Sequence, residues 1–337
     1  MHTHVGLTEV NGFNRFEITG ADAHTFLDRM ACGRVTKASG RVGLCYLLNH
    51  HGMLKSEATI ANLPASDRGG PRIWYGSAAA AEGHDMDWLS QHIRPDEDVS
   101  IASLTNDWTI LVLAGPKSRD VLSLASRADW SADAFPWLSV REAFVGIAPV
   151  VVMSVSYSGE LAYEIHVPNT YLYAAYLALC KAGEGRGMQL FGARAVDAMR
   201  LEKGYLHWKA EILTEFDPFE TGLDRFVRME KGDFVGKDAL KNRMDAGPTK
   251  KLVTLAIASN AVPAHAGASV MQGDKVVGTV TSGGWGYRVD RNLAMAFVDP
   301  QLASVGTSLE LNLIGMRVSA EVIEAGPFDP SNTRPKG

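Results

Sequence analysis

Cysteine is scarce in this sequence, and what there is builds neither a disulfide framework nor a metal site. Cys32, Cys45 and Cys180 are three, odd in number and far apart, with no CxxC and no His/Cys cluster at ligand spacing. A reducing cytoplasm is the simplest setting for such a chain. Long apolar runs are missing as well: none reaches the roughly 18 residues that a membrane helix needs. Met1 to Gly6 lacks the charged-then-apolar order of a signal peptide. A soluble, non-exported, cytoplasmic protein with no membrane partner is expected. Nucleotide and hydrolase motifs are also absent: no GxGxxG between strand and helix, no GxxxxGK[ST], no GxSxG elbow. The net charge of −5 is spread without long like-charge runs, so no basic face is offered to nucleic acid. An anionic ligand stays open, because a few local arginines serve it whatever the net charge.

What is present is ordinary for a globular enzyme: 337 residues, 46% hydrophobic and 21% charged. Single cores stop growing at roughly 250 residues, so two or three domains are expected. Phe13 to Ile18 reads as a strand, followed by a helix through Phe26-Leu27 with Asp22 as its N-cap. Gly43 to Leu48 and Lys55 to Ile60 read as strands joined at Asn49-His50-His51-Gly52. After the polar break Pro64 to Pro71 come a strand at Arg72 to Ser77 and a helix over Ala78 to His92. Trp108 to Ala114 reads as a buried strand, and Lys117 to Ala125 as a helix. Pro149 to Tyr157 and Leu161 to Val167 form a hairpin turning at Ser158-Gly159-Glu160, and helices follow at Tyr171 to Ala182 and Gly192 to Glu202. Beyond the linker Asp245 to Thr249, β-like runs recur at short spacing, which predicts a small all-β C-terminal domain. The glycine-rich stretch Ser282 to Gly286 reads as a tight β-turn.

Pattern alone gives the polar residues bland roles. Asp85 sits in an alanine-rich helical stretch and reads as a solvated surface charge. Glu202 ends an amphipathic helix and reads as a helix-face charge paired with a nearby Arg or Lys. Tyr157 and Tyr163 flank the hairpin turn and read as packing residues.

Eight segments, in order, resemble the aminomethyltransferase (glycine-cleavage T-protein) superfamily: Arg15–Arg29, Gly40–Gly52, Leu113–Leu122, Phe135–Glu142, Val155–His166, Arg200–Gly204, Gly222–Leu240 and Val277–Gly284. They look most like its branch forming the C-terminal folate domain of dimethylglycine and sarcosine dehydrogenases. The resemblance implies an α+β fold, a three-domain cloverleaf around a central folate channel with a C-terminal β-barrel-like domain. The expected divisions are 1–50 with 140–245, 51–139, and 246–337.

The resemblance also implies tetrahydrofolate as cofactor and assigns residues to it. Glu202 resembles the carboxylate that grips the pterin, whose 2-amino group and N3–H are adjacent donors. Asp85 aligns with the acidic residue beside the reactive folate nitrogens, where a carboxylate can orient the nitrogen and take its proton. Tyr157, Tyr163, Trp74 and Tyr75 stand where flat aromatics meet the pterin. The implied activity is transfer of a methyl or methylene unit from a small N-methylated amine such as sarcosine, dimethylglycine or betaine. Alternatives are a demethylase of a sulfonium or O-methyl donor, and a non-catalytic folate-binding subunit of a separate flavoprotein dehydrogenase. The dehydrogenases' N-terminal flavin domain has no counterpart in this sequence, and Ala162 stands where the family usually has glycine. Asp233, in Lys231 to Gly236, stands where the iron–sulfur maintenance branch carries cysteine, which argues against that branch.

Overall fold

The computed structural model describes residues 1–65 and 69–337 of the chain. The first part of the chain runs β1 (Val5–Glu9), β2 (Phe16–Thr19), α1 (Ala23–Met30), β3 (Val42–Leu48), β4 (Leu54–Leu63), β5 (Arg72–Gly76), α2 (Glu82–Gln91) and β6 (Ser100–Ser103). Then come β7 (Trp108–Ala114), α3 (Ser118–Ala125), β8 (Val140–Val145), β9 (Ala148–Met153), β10 (Ala162–Pro168), α4 (Leu172–Gly183), β11 (Met188–Leu190), α5 (Ala193–Lys203) and α6 (Lys237–Ala246). The last part is β12 (Lys251–Ile257), β13 (Ser269–Gln272), β14 (Lys275–Gly286), β15 (Arg291–Val298), β16 (Ser308–Leu313), β17 (Met316–Ile323) and α7 (Thr333–Lys336).

These strands make three sheets. One is six-stranded in the order β11-β1-β7-β10-β9-β8, a second five-stranded in the order β3-β4-β5-β2-β6, and the third a closed barrel, β12-β15-β14-β13-β16-β17. The β1–β11 pair is parallel and the other strand pairs are antiparallel. The α+β class and the C-terminal barrel are therefore as expected. The sheets do not follow the divisions expected at 50/51 and 139/140. β3 and β4 pair as a hairpin across the first, and β7 pairs with β1 and β10 across the second. Backbone pairing, which must satisfy each N–H and C=O, ties together segments that sequence order keeps apart.

Three local expectations change. Ser282 to Gly286 is no turn: it is the end of β14, paired residue by residue with β15 from Met295 to Arg291. A Cβ on Gly283 would meet Ala264 and one on Gly286 the Glu202 side chain, so the glycines serve close approach within a strand. Asp22 occupies the N-cap position of α1 without capping it, its carboxylate accepting from the Asp98 backbone N–H instead. The β9–β10 hairpin opens after the Met153–Glu164 pair, so residues 154–161 form a wide loop rather than a tight turn. Of the polar break, Ser66 to Arg68 lies outside the described residues.

Strand alternation gives the five-stranded sheet two working faces. Ala58, Ile60 and Tyr75 point to the core with Phe26 and Leu27 of α1 and Leu89 of α2. Ala61, Leu63 and Trp74 point the other way, against Val140, Val151 and Met153 of the six-stranded sheet. The rest of that front face, at Tyr46 and Leu48, is covered by the 206–240 segment through Ile212, Leu223, Phe234 and Leu240. Helix α5 leans on the barrel, with Leu201 buried against Leu293 and Met295.

The β3–β4 turn and the start of α6 meet without side chains between them. Gly52 (φ +75°) would place a Cβ 2.6 Å from the Leu240 nitrogen, and Gly236 (φ +83°) one 2.4 Å from the Asn49 oxygen. Gly52→Ala or Gly236→Ala is expected to lower stability by more than about 1 kcal/mol, because strain adds to clash. The urea midpoint of each variant checks this.

Candidate active site

Where the three sheets meet, charged side chains are buried and paired. Arg200 and Glu211 are both buried, with Arg200 Nη1 3.1 Å from Glu211 Oε2. The same oxygen accepts the His207 backbone N–H at 2.8 Å, and Oε1 accepts the hydroxyls of Thr281, at 2.6 Å, and Ser282 from β14. A buried carboxylate is tolerated when its lone pairs are filled in this way. Tyr157 lies beside this pair. Its hydroxyl donates to the Leu206 carbonyl at 2.9 Å, and its ring stacks on Tyr205 with centroids 6.3 Å apart. Burial pushes its phenol pKa up, against the Arg200 charge.

The front face of β3–β4 brings a further carboxyl to this junction, one that sequence reasoning missed. Tyr46 and Glu57 are cross-strand partners, and the Tyr46 hydroxyl donates to Glu57 Oε1 at 2.6 Å. The Arg225 charge acts on the Tyr46 phenol and the Glu57 charge on Tyr157; Glu57 itself is partly exposed. Desolvation raises its pKa to about 7, against the opposing effect of the Tyr46 hydrogen bond. The ring of Phe226 packs on Tyr46 at 5.1 Å. The signal was legible as alternation: Lys55, Glu57 and Thr59 are polar, and Ala58 and Ile60 apolar.

Asp85 corrects the solvated-charge expectation: it is 1% exposed. It lies on the other side of the five-stranded sheet, where Oδ2 accepts hydroxyls of Ser56 at 2.7 Å, Tyr75 at 3.0 Å and Ser77 at 2.6 Å. Oδ1 is buried with no hydrogen-bond partner among the described residues, the His84 Nδ1 lying 3.8 Å away. Lys55 stands over the Trp88 ring nearby, its pKa lowered first by desolvation and opposed by the Asp85 charge.

The other expected residues are distributed differently. Tyr75 joins Asp85, but Trp74, one residue earlier, must point to the opposite face. It sits edge-on to Trp108 and His166, with Nε1 donating to Glu17 at 3.0 Å. Tyr163 is fully buried in the core of the six-stranded sheet, its ring by Trp130 and Phe135 and its hydroxyl accepting from Arg119 Nε at 3.1 Å. Those two therefore have packing environments, apart from both Asp85 and Glu57.

Glu202 is buried and its partner is an arginine, but one from the barrel. Its carboxylate accepts Arg288 Nε on one oxygen and the backbone N–H groups of Arg288 and Val289 on the other. Arg288 also donates to the Ser158 carbonyl at 2.9 Å, Glu160 Oε1 at 2.9 Å and the Met199 carbonyl at 2.7 Å, and stacks on Phe328 at 3.7 Å.

This architecture has known counterparts. A family model described as the GCVT N-terminal domain matches residues 1–231, and the glycine cleavage T-protein C-terminal barrel domain matches residues 250–329. The chain belongs to the glycine cleavage T-protein family. Human mitochondrial dimethylglycine dehydrogenase is 32% identical over 95% of the chain, which spans 36% of that protein. An aminomethyltransferase from Symbiobacterium thermophilum is 29% identical over 96% of the chain and 86% of its own length. The crystal structure of glycine cleavage system aminomethyltransferase T from Bartonella henselae superposes with a TM-score of 0.87 at 23% identity, covering 98% of this chain and 88% of that one. The T-protein fold is thus shared over nearly the full chain.

Glu202→Gln tests how much of that residue's role is structural. Replacing a buried charged acceptor is expected to cost roughly 1.5–3 kcal/mol of stability. A chemical-denaturation curve reads the loss directly, and an unchanged midpoint contradicts the buried pairing.

Proposed function

We propose that this chain is a tetrahydrofolate-dependent one-carbon transferase acting on a small N-methylated amine of the sarcosine, dimethylglycine or betaine type. It takes a methyl unit directly from a quaternary donor, or a methylene unit once a separate flavoprotein has oxidised the N-methyl group to an iminium. Membership of the T-protein family supports the reaction class. The observation that carries the reading is the Glu57–Tyr46 pair, a carboxyl held near neutrality among the aromatic faces of Tyr157, Tyr205 and Phe226. Such a site fits a pterin: flat faces for stacking, and a Glu57 oxygen, Oε2, without a described protein partner.

Tetrahydrofolate, when bound, supplies the nitrogen that accepts the one-carbon unit. The chain's own part is positioning and proton handling. Tyr46 fixes the Glu57 carboxyl by occupying Oε1, leaving Oε2 to take the proton that the nitrogen gives up on bonding to carbon. A base whose pKa lies near the working pH is the efficient choice. Tyr157 offers a ring face held in place by its hydroxyl at Leu206. Asp85 lies behind the sheet, so it would act as base only on a folate nitrogen that reaches Oδ1 from that side; Ser56 links it to the strand that bears Glu57. For Glu202 to hold the pterin donors as well, Arg288 would have to release it.

A second reading, a folate-binding subunit for a separate flavoprotein dehydrogenase, draws on the 32% identity to dimethylglycine dehydrogenase, of which this chain matches only part. Direct demethylation of a sulfonium or O-methyl donor is the remaining alternative.

The test is turnover of candidate donors with tetrahydrofolate in the strict absence of flavin, reading folate products by mass. Glu57→Gln is expected to lose roughly a hundred-fold or more in turnover, as general-base roles contribute about 10²–10⁴-fold. Asp85→Asn should lose less than Glu57→Gln, while a larger loss in Asp85→Asn transfers the base to Asp85. Folate binding without turnover of any donor favours the subunit reading.

The pH dependence has a definite sign. A base acts ionised, so kcat/KM should rise with pH up to about 7 and level off above it. A carboxyl whose folded pKa is raised from 4.5 to about 7 stabilises the fold fully below 4.5 and loses that contribution as pH rises through 7. Glu57→Gln should therefore gain melting temperature relative to the parent at pH 8 and not at pH 4, which a pair of thermal melts decides.

A further inference from the structure

A second cleft, of about 390 Å³, opens at the edge where β2 and β7 approach, away from Glu57 and its aromatic neighbours. At its base is Arg15, only 3% exposed. Among the described residues its guanidinium donates one hydrogen bond, from Nη2 to His166 Nδ1 at 2.6 Å. That geometry makes Nδ1 the acceptor, so His166 is neutral with its proton on Nε2, on the side of Glu164 at 3.3 Å. The guanidinium also lies over the Trp74 ring, 5.1 Å from its centroid, but its remaining N–H donors, which a cation this deep ordinarily has filled by carboxylates or carbonyls, have no such partner. Desolvation accordingly pulls the Arg15 pKa down to about 10, with Glu164 opposing.

The cleft walls divide by chemistry. Phe13 and Trp108 supply apolar surface, Asn11 and Thr105 supply polar groups, and Glu82 lines the side where its carboxylate accepts the Ser103 hydroxyl. A volume of this size suits a small organic molecule. The cleft lining is more polar than apolar and the Glu82 charge disfavours an anion spread over the whole of it, so a single anionic end at Arg15 with a compact uncharged remainder is the complementary shape.

We propose that this cleft binds a small monocarboxylate, its carboxylate on the Arg15 guanidinium and its uncharged remainder between Phe13, Trp108 and the polar groups of Asn11 and Thr105. The carboxylate gives Arg15 the bidentate partner that its fork geometry favours and that the protein does not supply. Helix α2 connects the two regions, since Glu82 lines the cleft and Asp85 lies one turn further along.

Titration calorimetry on the full chain tests this with benzoate and its uncharged isostere benzamide, each with and without saturating tetrahydrofolate. One benzoate per chain is expected, at least tenfold tighter than benzamide and undisturbed by folate. Arg15→Met should abolish benzoate binding, and Glu82→Gln should tighten it severalfold. Should Arg15→Met not fold, Glu82→Gln and the benzoate/benzamide ratio decide. No saturable benzoate binding, equal affinity for benzamide, weaker binding in Glu82→Gln, or displacement of benzoate by tetrahydrofolate each overturns the proposal. Loss of folate binding with benzoate binding intact speaks against the one-carbon reading and leaves this site standing.

Discussion

Glu211 is the residue on which the junction of the molecule depends. It has no exposed surface, and four donors surround it: Arg200, the His207 backbone and the Thr281 and Ser282 hydroxyls. Those donors come from helix α5, from the loop after it and from barrel strand β14. One carboxylate therefore locks α5 and the loop after it to the barrel. Removing one partner of such a pair leaves the other charge stranded, which is why buried pairs are so sensitive to substitution. The Glu202–Arg288 pair repeats the device one helix residue pair away, again joining α5 to the barrel.

With the barrel fixed this way, the front face of β3–β4 brings aromatic faces beside Glu57, a carboxyl with one oxygen unpartnered among the described residues. The same strand presents Ser56 backwards to Asp85 and Glu57 forwards to Tyr46, a consequence of the two-residue period of a strand. In the proposed reaction the proton acceptor beside a stacked ring is Glu57. Asp85, held by three hydroxyls, supports the strand from the other side.

The sequence made the elements legible and the faces less so. Helices at Glu82–Gln91 and Ala193–Lys203 and the strands of the barrel follow from periodicity and turn residues, and the family resemblance supplied their arrangement. Ser282 to Gly286 was misread because glycine density signals a turn locally, whereas packing against Glu202 and Ala264 is a tertiary fact. Tyr163 and Trp74 illustrate the same limit: resemblance matched both to pterin-side positions, and strand alternation places Tyr163 in the core of the six-stranded sheet and Trp74 between the two sheets. Asp85 was picked out by resemblance and its burial by nothing in the pattern. Glu57 carried a visible period-2 signal, but alternation marks a partly exposed face without telling a channel from bulk solvent.

The most direct test of the account is a carbon-13 NMR titration of the Glu57 side-chain carboxyl, assigned by its disappearance in Glu57→Gln, with and without tetrahydrofolate. The account predicts a midpoint near 7 in the free protein and a clear change in that resonance when folate binds. An ordinary midpoint near 4.5, with a carboxyl signal indifferent to folate, would contradict it.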